Sequence, residues 1–232
     1  MIIGNGLVAD FFEEDKFLKN SKDVLIFASG VSNSKETDWK KFELEKRLFS
    51  IYTEIYGANV LYVYFSSCAL SNKTTQSIPY YKHKNEMENL VRKQNKYIIC
   101  RIPQITNSSN NPHTIINFFI NAILKGQEIK IQKNAKRYFI DCRDVVVFLS
   151  HIIQSGKYIN FTFDMANSYE YTAEEAFCII ARCFKKNPIY TITEGGFSYK
   201  LDLSSLIGKC KEFKLDFGFG EKYLGEKLKN NN

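Results

Sequence analysis

Tyr80 and Lys84 stand four residues apart at the start of a helical segment, Pro79-Tyr80-Tyr81-Lys82-His83-Lys84. Side chains at that spacing share one helix face. The strand before them, residues 60–65, is apolar on both faces and ends in Ser66-Ser67-Cys68. A serine at the carboxyl end of that strand can face the same point, which gathers a phenol, an ammonium and a hydroxyl around one small volume. A phenol is a poor proton shuttle near neutral pH, because its ordinary pKa is about 10. A neighbouring ammonium favours the phenolate. The phenol can then exchange a proton with a hydroxyl or carbonyl that the serine holds in place. A packed aromatic beside a solvated lysine has the same spacing, so the reading depends on what the rest of the chain supplies. Ser66 rivals Ser67, Tyr81 stands in the neighbouring register, and His83 is expected at the surface.

The elements that must position these groups begin at the first residue. Met1-Ile2-Ile3 reads as a very short strand, followed by Gly4-Asn5-Gly6-Leu7-Val8-Ala9 and a helix. In that context the first glycine allows a tight turn and the second lets backbone approach a pyrophosphate. Ala9 lets helix and strand pack closely. A simple strand-to-helix turn is the competing reading. Residues 23–30, Asp23 to Ala28-Ser29-Gly30, read as a buried strand, and residues 42–56 form an amphipathic helix. The Tyr80 helix runs to about residue 95 and leads into a strand at residues 97–103. Strands alternating with helices imply a parallel sheet. A dinucleotide fold carries further strands and a ribose-binding acid about 20 residues past the glycines. Between the first helix and residue 23 there is no room for them, so the sheet is expected to be truncated on the adenosine side, and NAD cannot be told from NADP.

After Pro103 the character changes. Residues 104–113 are polar and loop-like, and 114–124 form a helix closed by Lys125-Gly126. Short strands are expected at 128–131, 137–140, 160–164 and 189–192, helices from 145 and 171, and one lysine-rich helical tail from 201. Asp144 reads as a cap or lobe-fixing residue. Asn230, Asn231 and Asn232 form an end expected to fray.

This ordered set resembles the extended short-chain dehydrogenase/reductase family, in particular its nucleotide-sugar epimerases, dehydratases and ketoreductases. The resemblance runs over nearly the whole chain: Gly4-x-Gly6-x-x-Ala9, the strand ending at Gly30, Phe65-Ser66-Ser67, Tyr80-x-x-x-Lys84, Arg101-Ile102-Pro103, Arg137-x-Phe139-Ile140-x-x-x-Asp144-Val145, and the helix start Thr172-Ala173-Glu174-Glu175. It departs in its missing strands, a short loop between Ser67 and Tyr80, and one absent glycine. The resemblance implies an α/β fold: a shortened Rossmann-type parallel sheet of about five strands with a small substrate-binding lobe. Residues 1–105 plus about 140–166 are expected to form the cofactor core, and 106–139 plus 167–232 the lobe. It implies Ser67, Tyr80 and Lys84 as catalytic residues. Gly4, Asn5, Gly6, Leu7, Val8, Ala28, Ser29, Gly30, Tyr80, Lys84, Arg101 and Pro103 would bind NADP(H) or NAD(H), with the former favoured. Ser67, Cys68 and Arg137 would bind substrate, the arginine through phosphates. Cys68 and Ala69 stand where a dehydratase carries an acidic pair, which argues against dehydration. The expected activity is reduction of a 4-keto-6-deoxy nucleotide-sugar, with epimerisation and non-catalytic nucleotide binding as alternatives. A homodimer through the 42–56 and 80–95 helices is also implied.

The bulk properties exclude little else. The 232 residues carry a formal net charge of +7, with 44% hydrophobic and 25% charged residues. That is ordinary for a globular chain. No apolar run reaches membrane-spanning length and no signal sequence is evident, so the protein is expected to be cytoplasmic. The six cysteines lack zinc-site spacing and are read as reduced thiols, with no metal expected. The lysine-rich C-terminus lacks a nucleic-acid motif, and the basic charge suits anionic small molecules.

Overall fold

The computed structural model describes residues 1–72, 77–109 and 111–230; residues 73–76 of the expected polar loop, and Asn231 and Asn232 at the expected frayed end, lie outside the described residues. In chain order the strands are β1 (Ile2–Ile3), β2 (Val24–Phe27), β3 (Leu61–Ser67), β4 (Tyr97–Ile102), β5 (Gln104–Ile105), β6 (Ile129–Gln132), β7 (Lys136–Arg137), β8 (Phe139–Ile140), β9 (Phe161–Asp164), β10 (Tyr171–Thr172) and β11 (Tyr190–Thr193). The helices are α1 (Leu7–Glu14), α2 (Lys16–Asn20), α3 (Trp39–Tyr56), α4 (Pro79–Val91), α5 (Ile115–Lys125), α6 (Cys142–Ser155), α7 (Ala173–Cys183), α8 (Ser204–Glu212) and α9 (Tyr223–Lys229). They fall into two compact units, Met1–Ile102 with Val145–Asp164, and Pro103–Asp144 with Met165–Asn232.

The first unit is built on a five-stranded sheet in the order β1-β2-β3-β4-β9, parallel throughout. β2 is buried along its whole length and β3 through Ser66. That is why both read as unbroken apolar runs: a parallel sheet hides both faces. Leu25, Phe27, Phe49, Tyr62, Tyr64, Met87, Val91 and Ile99 form one core cluster, in which Phe27 meets Phe49 edge-on at 5.2 Å. β1 is the sheet edge. Among the described residues no strand lies beyond it, and α1 passes through the five-residue α2 straight to β2. The short connection leaves no place for the further strands of a full dinucleotide fold, as the spacing requires. α3 starts at Trp39, earlier than the sequence suggests, because the Asp38 carboxylate accepts from the Lys40 amide and caps it. α4 starts on Pro79, whose missing N–H costs nothing in the first turn.

The second unit has three two-stranded pairings, β5 with β8 and β6 with β11 in parallel, and β7 with β10 antiparallel. Its core includes Ile116, Phe119, Phe139, Tyr171, Phe177, Ile180 and Leu224. α7 begins with a capping box between Thr172 and Glu175. The single strand expected at 137–140 is two, separated by Tyr138, because its halves pair with different partners. The expected helical tail is likewise broken in two. Lys214, Gly218 and Gly220 take positive φ between α8 and α9, which no helix continues through.

Candidate active site

The chain leaves β1 at Gly4, whose φ is +139°. A Cβ there would stand 2.6 Å from the Ala28 carbonyl oxygen and 3.1 Å from the Ser29 amide nitrogen. The glycine is therefore required by the protein itself, at the close approach of this loop to the end of β2. Gly6 differs: a Cβ on it would meet nothing within 4 Å. It is the N-cap of α1, extended at φ −105°, and no side chain caps the helix. Gly4, Asn5 and Gly6 are exposed, with Leu7 and Val8 half-buried. The leading amides of α1 thus lack a side-chain acceptor and carry the positive end of the helix dipole. This end of the site fits a phosphate group.

Past β2, Ala28 and Ser29 are half-buried and Gly30 is exposed. A Cβ on Gly30 would stand 2.7 Å from Glu45 Oε1 and 3.1 Å from Lys84 Nζ. The segment after β2 and the Tyr80 helix therefore meet through Glu45, a residue the sequence reading did not single out.

α4 buries one face, made of Tyr80, His83, Lys84, Met87, Glu88 and Val91. The Lys84 ammonium donates to Glu45 Oε1 at 3.1 Å and to the Tyr64 hydroxyl at 2.9 Å. The Tyr64 hydroxyl donates onward to Glu45 Oε1 at 2.8 Å. Glu45 Oε2 accepts from the Val31 amide at 2.7 Å and lies 2.8 Å from His83 Nε2. A carboxylate only accepts, so Nε2 carries the proton. His83 Nδ1 is buried without a partner, and the ring stacks on Phe42 with centroids 4.6 Å apart. His83 is thus a buried element of the cluster and not a surface residue, because its carboxylate partner draws it inward. Burial alone would raise the Glu45 carboxyl, but the charge of Lys84 and the bonds from His83 and Val31 outweigh it and hold the group down at about 2.

The Lys84 ammonium stands 5.9 Å from the centre of the Tyr80 ring. The Lys84 charge by itself does not free the phenolate; the expectation joined it to the charge of a nicotinamide ring. Burial, with Tyr81 and Glu45 nearby, pushes the Tyr80 phenol well above the ordinary tyrosine value. Lys84 is already paired with a carboxylate, so its field at the phenol is largely cancelled. Tyr80 has no hydrogen-bond partner among the described residues and is held in its protonated form.

Of the two serines, Ser66 is buried with an unpartnered hydroxyl. Ser67 is half-buried at the end of β3, where its Oγ accepts from the Ala69 amide at 3.3 Å and starts a 3₁₀ turn over Cys68–Ser71. Cys68 is fully buried and its thiol is directed to the Arg101 carbonyl at 3.1 Å. That removes it from substrate contact and makes it a packing residue. Arg101, expected to meet the cofactor, turns its guanidinium on Glu88 with two bonds of 2.8 Å. Glu88 also takes Arg92 at 2.6 Å, and these arginines hold it below the usual carboxylate range against burial. Beside them, Ser71 Oγ lies 3.1 Å from Asp164, whose carboxyl burial pushes up.

The remaining expected residues belong to the second unit. Pro103 is half-buried at its first position. Arg137 is half-buried in β7, and its Nη1 donates to the carbonyls of Lys136 at 2.6 Å and Phe197 at 2.8 Å. Asp144 accepts from the Tyr223 hydroxyl at 2.6 Å and Lys227 Nζ at 2.7 Å, tying α9 to the start of α6. Among the described residues no helix is long and apolar enough to cross a membrane.

No protein-family model matches the chain, and no curated protein does. Solved structures do. A dTDP-glucose 4,6-dehydratase from Bacillus anthracis in complex with NAD matches with a TM-score of 0.66 at 14% identity, over 89% of this chain and 71% of that one. A UDP-N-acetylglucosamine 4-epimerase from Methanobrevibacter ruminantium, in complex with UDP-N-acetylmuramic acid, matches at 0.67 and 18%, over 90% and 75%. The RMD protein of Pseudomonas aeruginosa complexed with NADPH matches at 0.69 and 11%, over 90% and 82%. With its parallel sheet cut back to five strands at β1, the chain has the Rossmann-type fold of these nucleotide-sugar epimerases and dehydratases.

Proposed function

We propose that the protein is a nicotinamide-dependent oxidoreductase of nucleotide-linked sugars that works as a reductase, on a 4-keto-6-deoxy nucleotide-sugar of the kind made for surface polysaccharides. The observation that carries this reading is the buried Tyr80 phenol in the first turn of α4, beside a lysine whose charge is already paired, an environment that favours the protonated phenol. A reductase needs a proton donor at the carbonyl oxygen, and a neutral phenol is one. Oxidation of a sugar alcohol would need the phenolate instead.

In this reading the amides of Gly4, Asn5 and Gly6 and the N-terminus of α1 hold the cofactor phosphates, with Leu7, Val8, Ala28, Ser29 and Gly30 around them. NADP(H) and NAD(H) both remain open, with NADP(H) preferred. When bound, the nicotinamide supplies the hydride. Ser67 holds the substrate oxygen by a hydrogen bond. The Tyr80 O–H bond breaks as its proton passes to that oxygen, and solvent restores the proton. Arg137 neutralises the substrate phosphates with the guanidinium nitrogens that its backbone bonds leave over. A homodimer through α3 and α4 belongs to the same reading, supported by Leu44 at 65% and Ile55 at 64% exposure on α3.

Epimerisation is the second reading, favoured by the epimerases among the structural neighbours. It requires NAD retained on the purified protein, so the cofactor content separates the two. The test is titration with NADH and NADPH, then turnover of 4-keto-6-deoxy nucleotide-sugars followed by cofactor absorbance. Binding and turnover are expected, with Tyr80→Phe lowering turnover about 100-fold or more. Binding of neither dinucleotide would overturn the reading, and intact turnover in Tyr80→Phe would overturn the site.

A further inference from the structure

We propose that Glu45 is a positioning residue of the site: its carboxylate fixes Lys84 in a buried ion pair, so that the pair presents almost no net charge to the neighbouring Tyr80 ring. This rests on the reading of Tyr80 as a proton donor and adds to burial, which does most to keep it one, a group that keeps the neighbouring ammonium paired. Glu45 is 4% exposed on α3, between Phe42 and Phe49 on the helix's buried stripe. An ion pair at such a position is no better for stability than well-packed apolar side chains of similar volume. Packing alone therefore gives no reason for a carboxylate there.

The geometry gives one. Glu45 Oε1 takes both Lys84 and the Tyr64 hydroxyl, and Oε2 takes the Val31 amide and His83. Both oxygens are fully engaged, so the carboxylate cannot swing to another partner. Lys84 is fixed from two sides, by Glu45 and by Tyr64. Gly30 completes the enclosure, since any Cβ there would press on Glu45 Oε1 at 2.7 Å. The titratable and charged groups facing the pair are Tyr64 from β3, and Tyr80, Tyr81, His83 and Glu88 from α4; the end of β2 offers only the Val31 amide. Among the described residues the ammonium facing the Tyr80 ring is that of Lys84, and Glu45 pairs with it. Removing the carboxylate charge leaves a bare ammonium 5.9 Å from the Tyr80 ring, which favours the phenolate.

The experiment reads the ring directly, without cofactor or substrate. The ring carbon bearing the hydroxyl of Tyr80 is followed by NMR on tyrosine-labelled protein across alkaline pH, its signal assigned by loss in Tyr80→Phe. In the native chain Tyr80 is expected to stay protonated until the fold is lost. In Glu45→Gln its ionisation moves down by about 1 pH unit or more and enters the folded range. Glu45→Asp, which keeps the charge, stays with the native chain, and Glu45→Gln combined with Lys84→Met loses the shift. Should Glu45→Gln not fold, Gly30→Ala pushes on the same pair and is expected to move Tyr80 in the same direction by a smaller amount. A Tyr80 signal unmoved in the folded variant overturns the proposal, as does a shift that survives Lys84→Met. Failure to bind any dinucleotide would overturn the proposed function and leave this titration untouched.

Discussion

The two ends of the candidate site are built on opposite plans. At the glycine loop the protein leaves groups unused: the amides opening α1 have no side-chain cap, and nothing stands in front of Gly6. At the Tyr80 end the charged groups already have partners within the fold, Lys84 on Glu45 and Tyr64, and both oxygens of Glu45. The first end can take up an anion without giving anything up. A ligand that wants Lys84 must compete with a buried carboxylate. One end is open to ligand, and the other is preset in charge and shape.

Breaking the preset end should have the largest effect on stability. Glu45→Ala leaves Lys84 buried without its counter-ion, and removing one partner of a buried pair costs about 3–5 kcal/mol. Denaturant unfolding measures this directly. The same pair sets an acid limit. The Glu45 carboxyl is lowered from 4.5 to about 2 in the fold. Its contribution is therefore present above pH 4.5 and fades as pH falls from there towards about 2. Acid unfolding followed by circular dichroism should show that loss in the native chain. Glu45→Gln, with no carboxyl to protonate, should start less stable and lose less over the same interval.

This contrast also marks what the sequence could reveal. The parallel sheet was legible because strands buried on both faces write themselves as apolar runs, as residues 24–27 and 61–65 do. The missing adenosine side was legible from simple length between Gly6 and Val24. The glycine loop was legible because backbone requirements are local. The Glu45 cluster was not, because it joins α3, β3, α4 and the end of β2, and no local spacing links those four. One signal was there to find: Phe42, Glu45 and Phe49 lie on one helical stripe, and a carboxylate between two buried aromatics needs a buried partner. The paired Arg101 and the sealed Cys68 were missed for the same reason. Their partners, Glu88 and the Arg101 carbonyl, are set by the register of β3, β4 and α4.

The open end can be divided further, since its two glycines serve different needs. Gly4→Ala should cost about 1–3 kcal/mol, from a strained positive φ and a Cβ driven to 2.6 Å from the Ala28 oxygen. Loop and β2 must then separate, so stability and ligand binding fall together.

Gly6→Ala should have the smallest effect on the fold, about 1 kcal/mol, because alanine is a poorer N-cap than glycine while its methyl meets no protein atom within 4 Å. Its methyl would occupy the space through which a phosphate reaches the α1 amides. Dinucleotide affinity, measured by fluorescence titration, should therefore drop about 10-fold or more while the unfolding midpoint stays near the native value, since one lost charge-assisted hydrogen bond is worth about 1.5–3 kcal/mol. Loss of stability without loss of binding would mean that Gly6 serves the fold after all. The loop would then be an ordinary strand-to-helix turn, and the difference between the two ends of the site would disappear.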